Sequence, residues 1–320
     1  MNSIPKNIYK DFKNKKINIH TAFDLLTSLF ENDDNELVRE SAIKTLENLG
    51  LFNDRFFFIL EHALISDSNV KIRTLATTIL RKKFIDKAFN PLMWALKHET
   101  DLKCLIIIIE SLAHINTHDS KLILLNEIKK IMKIKWINKD RRIENNKYKK
   151  IIKKLYKSKE LSLFTQKKLA EILINFLIVK NLCNSFPNVF FEIDPNNGLV
   201  MELDLSDYLQ YEVKGTPFGW KNDINSLSEI VGLKYLKNLK RIDLSNNQIK
   251  DVMDLIYLKN LQHVVLINNK ISEEKNLEYL KKLPKLEFLD LRDNMIAKKT
   301  QLNEFNPKIR VILKDYIILK

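Results

Sequence analysis

Few residues in this sequence have types and spacings that could do chemistry. Glu110, His114 and His118 fall at i, i+4 and i+8. A continuous helix would bring this carboxylate and two imidazoles to one face, where they could hold a metal ion. A histidine-rich helix end is more often simply solvated, because a metal site also needs a closed shell and supporting partners. Gly215 and Gly219 bracket a short turn, but the spacing is one residue short of a phosphate loop and no Gly-Lys-Ser/Thr ends it. Cys104 and Cys183 are too few for a disulfide framework. Neither a paired Cys-x-x-Cys nor a His-Glu-x-x-His occurs. No Ser/His/Asp or Cys/His grouping is visible. The reading is of a protein that is not an enzyme, with no cofactor, no metal and no small-molecule substrate.

Charge is the other chemical signal. The chain of 320 residues carries a net charge of +14, and residues 121–168 hold 17 Lys+Arg against 4 Asp+Glu. That one segment accounts for +13. Trp136, Tyr148, Tyr156 and Phe164 are interleaved with its basic residues. Lysine with aromatics can bind single-stranded nucleic acid through phosphate contacts and stacking. However, only Arg141 and Arg142 among the 17 are arginine, the residue preferred for bidentate phosphate contact. A solvated helical face or a flexible linker accounts for the same composition, as does an anionic membrane surface or an acidic protein as partner.

The elements that must position these groups follow from punctuation and period. Between Lys6 and Lys180 there is one glycine, Gly50, and one proline, Pro91, whereas four of the five glycines lie after Phe186. Glycine and proline mark turns, so the composition change near Phe186 is a domain boundary. Before it, Val38-Arg39-x-x-Ala42 and Ile72-Arg73-x-x-Ala76 repeat at 34 residues, with Leu46 and Leu80 in register. A weaker third copy spans Asp101–Ile115, with Cys104 and Leu105 at the Ile72 and Arg73 positions. Apolar-periodic stretches at 22–30, 56–65 and 88–96 precede the three copies. Polar breaks at 31–34, 67–68 and 99–101 separate the members of each pair and supply N-caps. The segment 18–116 resembles the HEAT family of helical repeats, which carry a Val-Arg-x-x-Ala-like signature on the second helix. The resemblance implies stacked helix pairs sharing a continuous core. Some HEAT-repeat enzymes bind two iron ions through repeated His-Glu pairs; here only His98-Glu99 occurs, since Glu61-His62 is reversed, and one pair does not build that site.

After the boundary the repeat is sharper. Leu239-x-x-Ile242-x-Leu244-x-x-Asn247-x-Ile249, Leu261-x-x-Val264-x-Leu266-x-x-Asn269-x-Ile271 and Leu286-x-x-Leu289-x-Leu291-x-x-Asn294-x-Ile296 recur at intervals of 22 and 25 residues. They match the leucine-rich-repeat signature. The segment 189–315 resembles that family, in its short 22-residue class. Each x-Leu-x-Leu is then a short strand with its leucines inward, and Asn247, Asn269 and Asn294 form a buried ladder that satisfies backbone groups. A degenerate repeat starts at Val200; Val189–Asp194 and the turn Pro195-Asn196-Asn197-Gly198 before it read as a hairpin that caps the open edge. Pro307–Leu313 begins like a further repeat and stops, as a C-terminal cap.

The architecture expected is α plus α/β solenoids, with all-α HEAT-like repeats in 1–120 and a leucine-rich-repeat domain with a capping hairpin in 186–320. Between them, 121–185 is a basic helical connector or a continuation of the solenoid. The resemblance places outward strand residues on a concave face in three rows: Glu202, Arg241, His263, Phe288; Asp204, Asp243, Val265, Asp290; and Ser206, Ser245, Ile267, Arg292. Val265, Ile267 and Phe288 are then outward apolar residues with Arg241, Asp243, Asp290 and Arg292 around them, the make-up of a protein interface. A capping loop or the other domain is the alternative cover. Phe218 and Trp220, in a turn-rich insertion, are either further contacts or a plug folded back on the solenoid. The function expected is a protein–protein interaction scaffold or adaptor, with nucleic-acid binding through 121–168 as the alternative. With no apolar leader in 1–16 and no apolar run long enough to span a bilayer, the setting expected is cytoplasmic.

Overall fold

The computed structural model describes residues 4–133, 142–207, 222–298 and 305–314, with the side chains of 142–147 left aside. Phe218 and Trp220 lie outside the described residues. The chain is mostly helical, with a small sheet in its C-terminal half. It forms two compact units: Met1–Asn126 with Thr165–Ala170, and Glu127–Phe164 with Glu171–Lys320. Among the described residues no helix is long and apolar enough to cross a membrane.

The first unit is built from helices in pairs. After α1 (Ile4–Lys13) come α2 (Ile19–Asn32) with α3 (Glu36–Leu49), α4 (Asp54–Ser66) with α5 (Val70–Lys83), and α6 (Phe89–His98) with α7 (Leu102–Ile115). The second helices pack on one another in the order α3, α5, α7, and α4 packs on α6. Each helix starts for a local reason. The side chains of Asn18, Asn35, Asn53, Asn69 and Asp101 accept backbone N–H groups of the first turns of α2, α3, α4, α5 and α7. The caps of α3 and α5 sit just after the polar breaks 31–34 and 67–68. Gly50 (φ 77°) ends α3 in the left-handed conformation that a Cβ disfavours. The repeated apolar positions Ala42, Leu46, Ile72, Ala76, Leu80 and Cys104 are buried in one core.

The arginine of the repeat has a specific partner. Arg39 donates from Nη1 to the carbonyls of Asp33 (3.2 Å) and Asp34 (3.0 Å), and from Nε and Nη2 to the Asp67 carboxylate, both at 3.2 Å. Arg73, one repeat on, does the same with the carbonyls of Asp67 (3.0 Å) and Ser68 (2.9 Å) and the carboxylate of Glu99 (2.7 and 2.9 Å). Each guanidinium thus satisfies the turn of its own pair and ties it to the turn of the next. Leu105 occupies this position in the third copy, so the series ends there.

In the second unit, α9 (Arg142–Lys157), the short α10 (Glu160–Leu163) and the part of α11 (Gln166–Ser185) from Glu171 on precede the sheet; α8 (His118–Ile131) comes before them. The stretch 142–157, in which composition left linker and helix open, is a helix with Tyr148, Ile152 and Leu155 buried. The sheet order is β1 (Phe190–Ile193), β2 (Val200–Asp204), β3 (Arg241–Asp243), β4 (His263–Val265), β5 (Phe288–Asp290), β6 (Arg310–Ile312). β1 and β2 are antiparallel, joined through the turn at 195–198, and β2 to β6 are parallel. Leu203, Ile242, Val264 and Leu289 face one another in register and are buried.

Asparagine closes the sharp turns after β3, β4 and β5. The Asn269 amide donates to the carbonyls of Leu244 (2.9 Å), Leu266 (3.1 Å) and Ile267 (3.2 Å), and its oxygen accepts Ile249 N–H (3.0 Å). Asn247 and Asn294 repeat this set one strand to either side. The residue before each, Asn246, Asn268 and Asp293, has φ of 60°, 51° and 58°. Asn and Asp tolerate that conformation better than other side chains. Asn222 adds an earlier rung, donating to Asn188 O (2.7 Å) and Leu205 O (2.8 Å). The return segments are 3-10 turns at Leu233–Tyr235 and Met253–Tyr257, whereas the 25-residue interval accommodates a helix, α12 (Lys275–Lys281).

Two predictions follow from these ladders. Asn269→Ala removes four hydrogen bonds inside the unit and leaves buried backbone groups unpaired. The cost is about 2–4 kcal/mol in urea denaturation, against less than about 0.5 kcal/mol for Lys270→Ala on the surface. In the helical unit, burial pushes the Glu99 carboxyl up. Hydrogen bonds from Arg73, the backbone of Asp101, Cys104 and the backbone of Thr100 outweigh that and hold it at about 2, below its ordinary 4.5. A carboxylate with a depressed folded value adds stability that is fully present above about pH 4.5 and is lost as pH falls toward 2. Glu99→Gln lowers stability at neutral pH by about 1–3 kcal/mol. It also flattens the decline between pH 4.5 and 2, as acid titration of the denaturation midpoint will show.

Candidate functional site

The strands bring most of the sequence-selected residues onto one face. Parallel register aligns Glu202, Arg241, His263, Phe288 and Arg310 in one row, and Asp204, Asp243, Val265, Asp290 and Ile312 in the next but one. Arg310 is a fifth member of the first row. Its signal in the sequence was the truncated repeat at Pro307–Leu313, read only as a cap.

The rows differ in access. Arg241 and Arg310 are exposed, and Glu202, His263 and Phe288 are half-buried. His263 lies 6.0 Å from the Phe288 ring, and the Arg310 guanidinium is 5.9 Å from the same centroid. This row is a cation–aromatic strip with a carboxylate at one end. The centre of the second row is closed: Asp243, Val265 and Asp290 are 6%, 7% and 2% exposed, while Asp204 and Ile312 at its ends are half-buried. Val265 is therefore not the open apolar centre that outward geometry alone implied. Parallel strands stand only about 4.8 Å apart, so neighbouring side chains in the centre of the face cover one another. Ile267 is half-buried.

Several charges on this face already have partners. The Asp290 carboxylate accepts Arg292 Nε (3.0 and 3.2 Å) and Nη2 (2.9 Å). Asp243 accepts the Ser245 hydroxyl at 2.6 Å and its N–H at 3.1 Å, and Asp204 accepts the Ser206 hydroxyl (2.6 Å) and N–H (2.8 Å). Burial pushes the Asp243 carboxyl above its ordinary value. The neighbouring Asp204 charge adds to the push, and the Ser245 hydrogen bonds and Arg241 offset it only in part. Arg241 Nη2 lies 3.9 Å from Asp243. The arrangement can hold side chains of a partner by charge and ring contact.

The metal-like spacing resolves differently. The left-handed Asn116 (φ 52°) ends α7, so Glu110 and His114 lie in one helix and His118 opens α8. The three do not share a continuous helix face. Glu110 faces Arg81 (3.4 Å) and His114 Nδ1 contacts the Glu110 carbonyl (2.6 Å). In the other pair, His98 stacks on Trp94 with centroids 4.2 Å apart, while Glu99 is held by Arg73. These residues line a cleft of about 180 Å³ with Leu64, Ile65 and Asp67. Trp94, 40% exposed, was not singled out in the sequence, where it sits among apolar helix residues. The Cys104 thiol at the base of the pair is pushed up to about 12 by burial and by the Glu99 charge, which keeps it protonated and inert.

No protein-family model and no curated protein matches the chain. Among solved structures, a crystal structure of internalin C2 from Listeria monocytogenes is 28% identical over 26% of this chain and 34% of that one, with a TM-score of 0.21. The match spans about a third of the internalin's length.

Proposed function

We propose that the protein is a non-enzymatic interaction scaffold that takes a protein partner on the strand face of its C-terminal unit. In this reading 186–320 is a capped leucine-rich-repeat solenoid, 1–120 is a HEAT-like helical repeat, and 121–185 is the lysine-rich helical segment between them. The observation that carries the reading is the parallel register. It lays Glu202, Arg241, His263, Phe288 and Arg310 side by side across five strands, a row about 19 Å long at the usual strand spacing. An aromatic ring between an imidazole and a guanidinium, bordered by buried polar residues, has the composition of an interface hot spot. The inter-repeat ties Arg39–Asp67 and Arg73–Glu99 support the helical half as a continuous surface.

Phe288→Asp puts a carboxylate in the middle of this row while leaving the inward leucines in place. A protein retained by the full-length wild type after nuclease treatment is expected to bind the variant at least about tenfold more weakly. The urea midpoint of the variant checks that it is folded. Undiminished binding by a folded variant places the partner site elsewhere.

A further inference from the structure

Helix α9 has two sides with separate roles. Tyr148, Ile152 and Leu155 are buried, and the Tyr148 hydroxyl donates to the Gly198 carbonyl at 3.0 Å. The Phe176 and Phe191 rings lie 5.3 and 6.3 Å from the Tyr148 ring. Gly198, with φ of 72°, lets the hairpin turn bring its backbone against this helix. Tyr148, Ile152 and Leu155 are therefore engaged with the rest of the unit.

Opposite it, Lys150, Lys153, Lys154 and Lys157 are exposed and Lys149 is half-buried. At 3.6 residues per turn the five occupy about 140° of arc and about 12 Å of helix length. Lys130 nearby pairs with Glu127 at 2.6 Å, but none of these five has an ion-pair partner among the described residues. Tyr156, 46% exposed, borders the strip, with the Lys129 ammonium 5.6 Å from its ring centroid.

We propose that this face binds single-stranded nucleic acid, with the lysines along the phosphates and Tyr156 against a base. Five cations in one strip, none ion-paired among the described residues, match a polyanion, and an exposed ring beside them provides the stacking surface that single strands use. A bilayer is the poorer match. An amphipathic helix enters a membrane by its apolar face, and here that face is closed by Phe176, Phe191 and Gly198. Lysine acts on phosphate as a point charge, without a bidentate fork, so binding is expected to be largely indifferent to base sequence.

The test is fluorescence anisotropy of labelled oligouridine and oligodeoxythymidine with the full-length protein. Engagement of all five lysines gives a salt slope near −3.5, so affinity falls about a hundredfold between about 50 mM and about 200 mM salt. The triple variant Lys150→Glu, Lys153→Glu, Lys157→Glu is expected to lose more than about tenfold in affinity and to flatten the slope. Tyr156→Ala is expected to lose about fivefold or more. Reversal of Lys237, Lys259 and Lys285, exposed elsewhere in the unit, leaves binding unchanged. Lys→Gln at the same three α9 positions, which keeps the stems, repeats the loss if charge reversal alone disturbs folding. Salt-insensitive binding, a triple variant that binds like the wild type, or binding to phosphatidylserine vesicles but to neither oligonucleotide would each overturn the proposal.

Discussion

Both units depend on one constraint: a chain that turns back at short, regular intervals must satisfy the backbone groups each turn exposes. The two halves meet it with different side chains used in the same way. In the helical unit a guanidinium, Arg39 or Arg73, donates to the carbonyls of its own turn and reaches a carboxylate on the next. In the sheet unit an amide does this: Asn269 closes its own turn through Leu266 and Ile267 and bonds Leu244 one strand back. A planar group with several donors in fixed geometry suits this double role, and a buried polar group left without partners would be costly.

The same arrangement limits which side chains stay open to solvent. The inward amides of Asn247, Asn269 and Asn294 are committed to the ladder. On the strand face, neighbouring rows crowd one another until Asp243, Val265 and Asp290 are closed, and Asp290 holds Arg292. The row nearest the strand starts is more open: Arg241 and Arg310 are exposed and Phe288 lies between His263 and Arg310. Of the three apolar residues of this face, Val265 is covered, while Ile267 and Phe288 stay half-buried.

Helix α9 shows how packing gives meaning to composition. Lysine-rich sequence by itself is compatible with linker, solvated face or binding surface. Burial of Tyr148, Ile152 and Leu155 fixes the orientation of the helix, and the lysines collect on the other side because the apolar positions recur at helical spacing.

The sequence by itself determined the local units. Repeats of 34, 22 and 25 residues set the helix pairs and strand positions. The Asn before each Ile identified the rungs at 247, 269 and 294, and the Pro-Asn-Asn-Gly turn marked the hairpin. These features were legible because each is written in adjacent residues with a fixed period. Only the tertiary structure decided that Asn222 is a rung, that Val265 is covered, that His118 leaves the helix of Glu110, and that Arg39 and Arg73 reach carboxylates 28 and 26 residues away. Those outcomes rest on which side chains neighbouring repeats place against one another, and on a single left-handed residue, Asn116, whose effect on the helix no periodicity records.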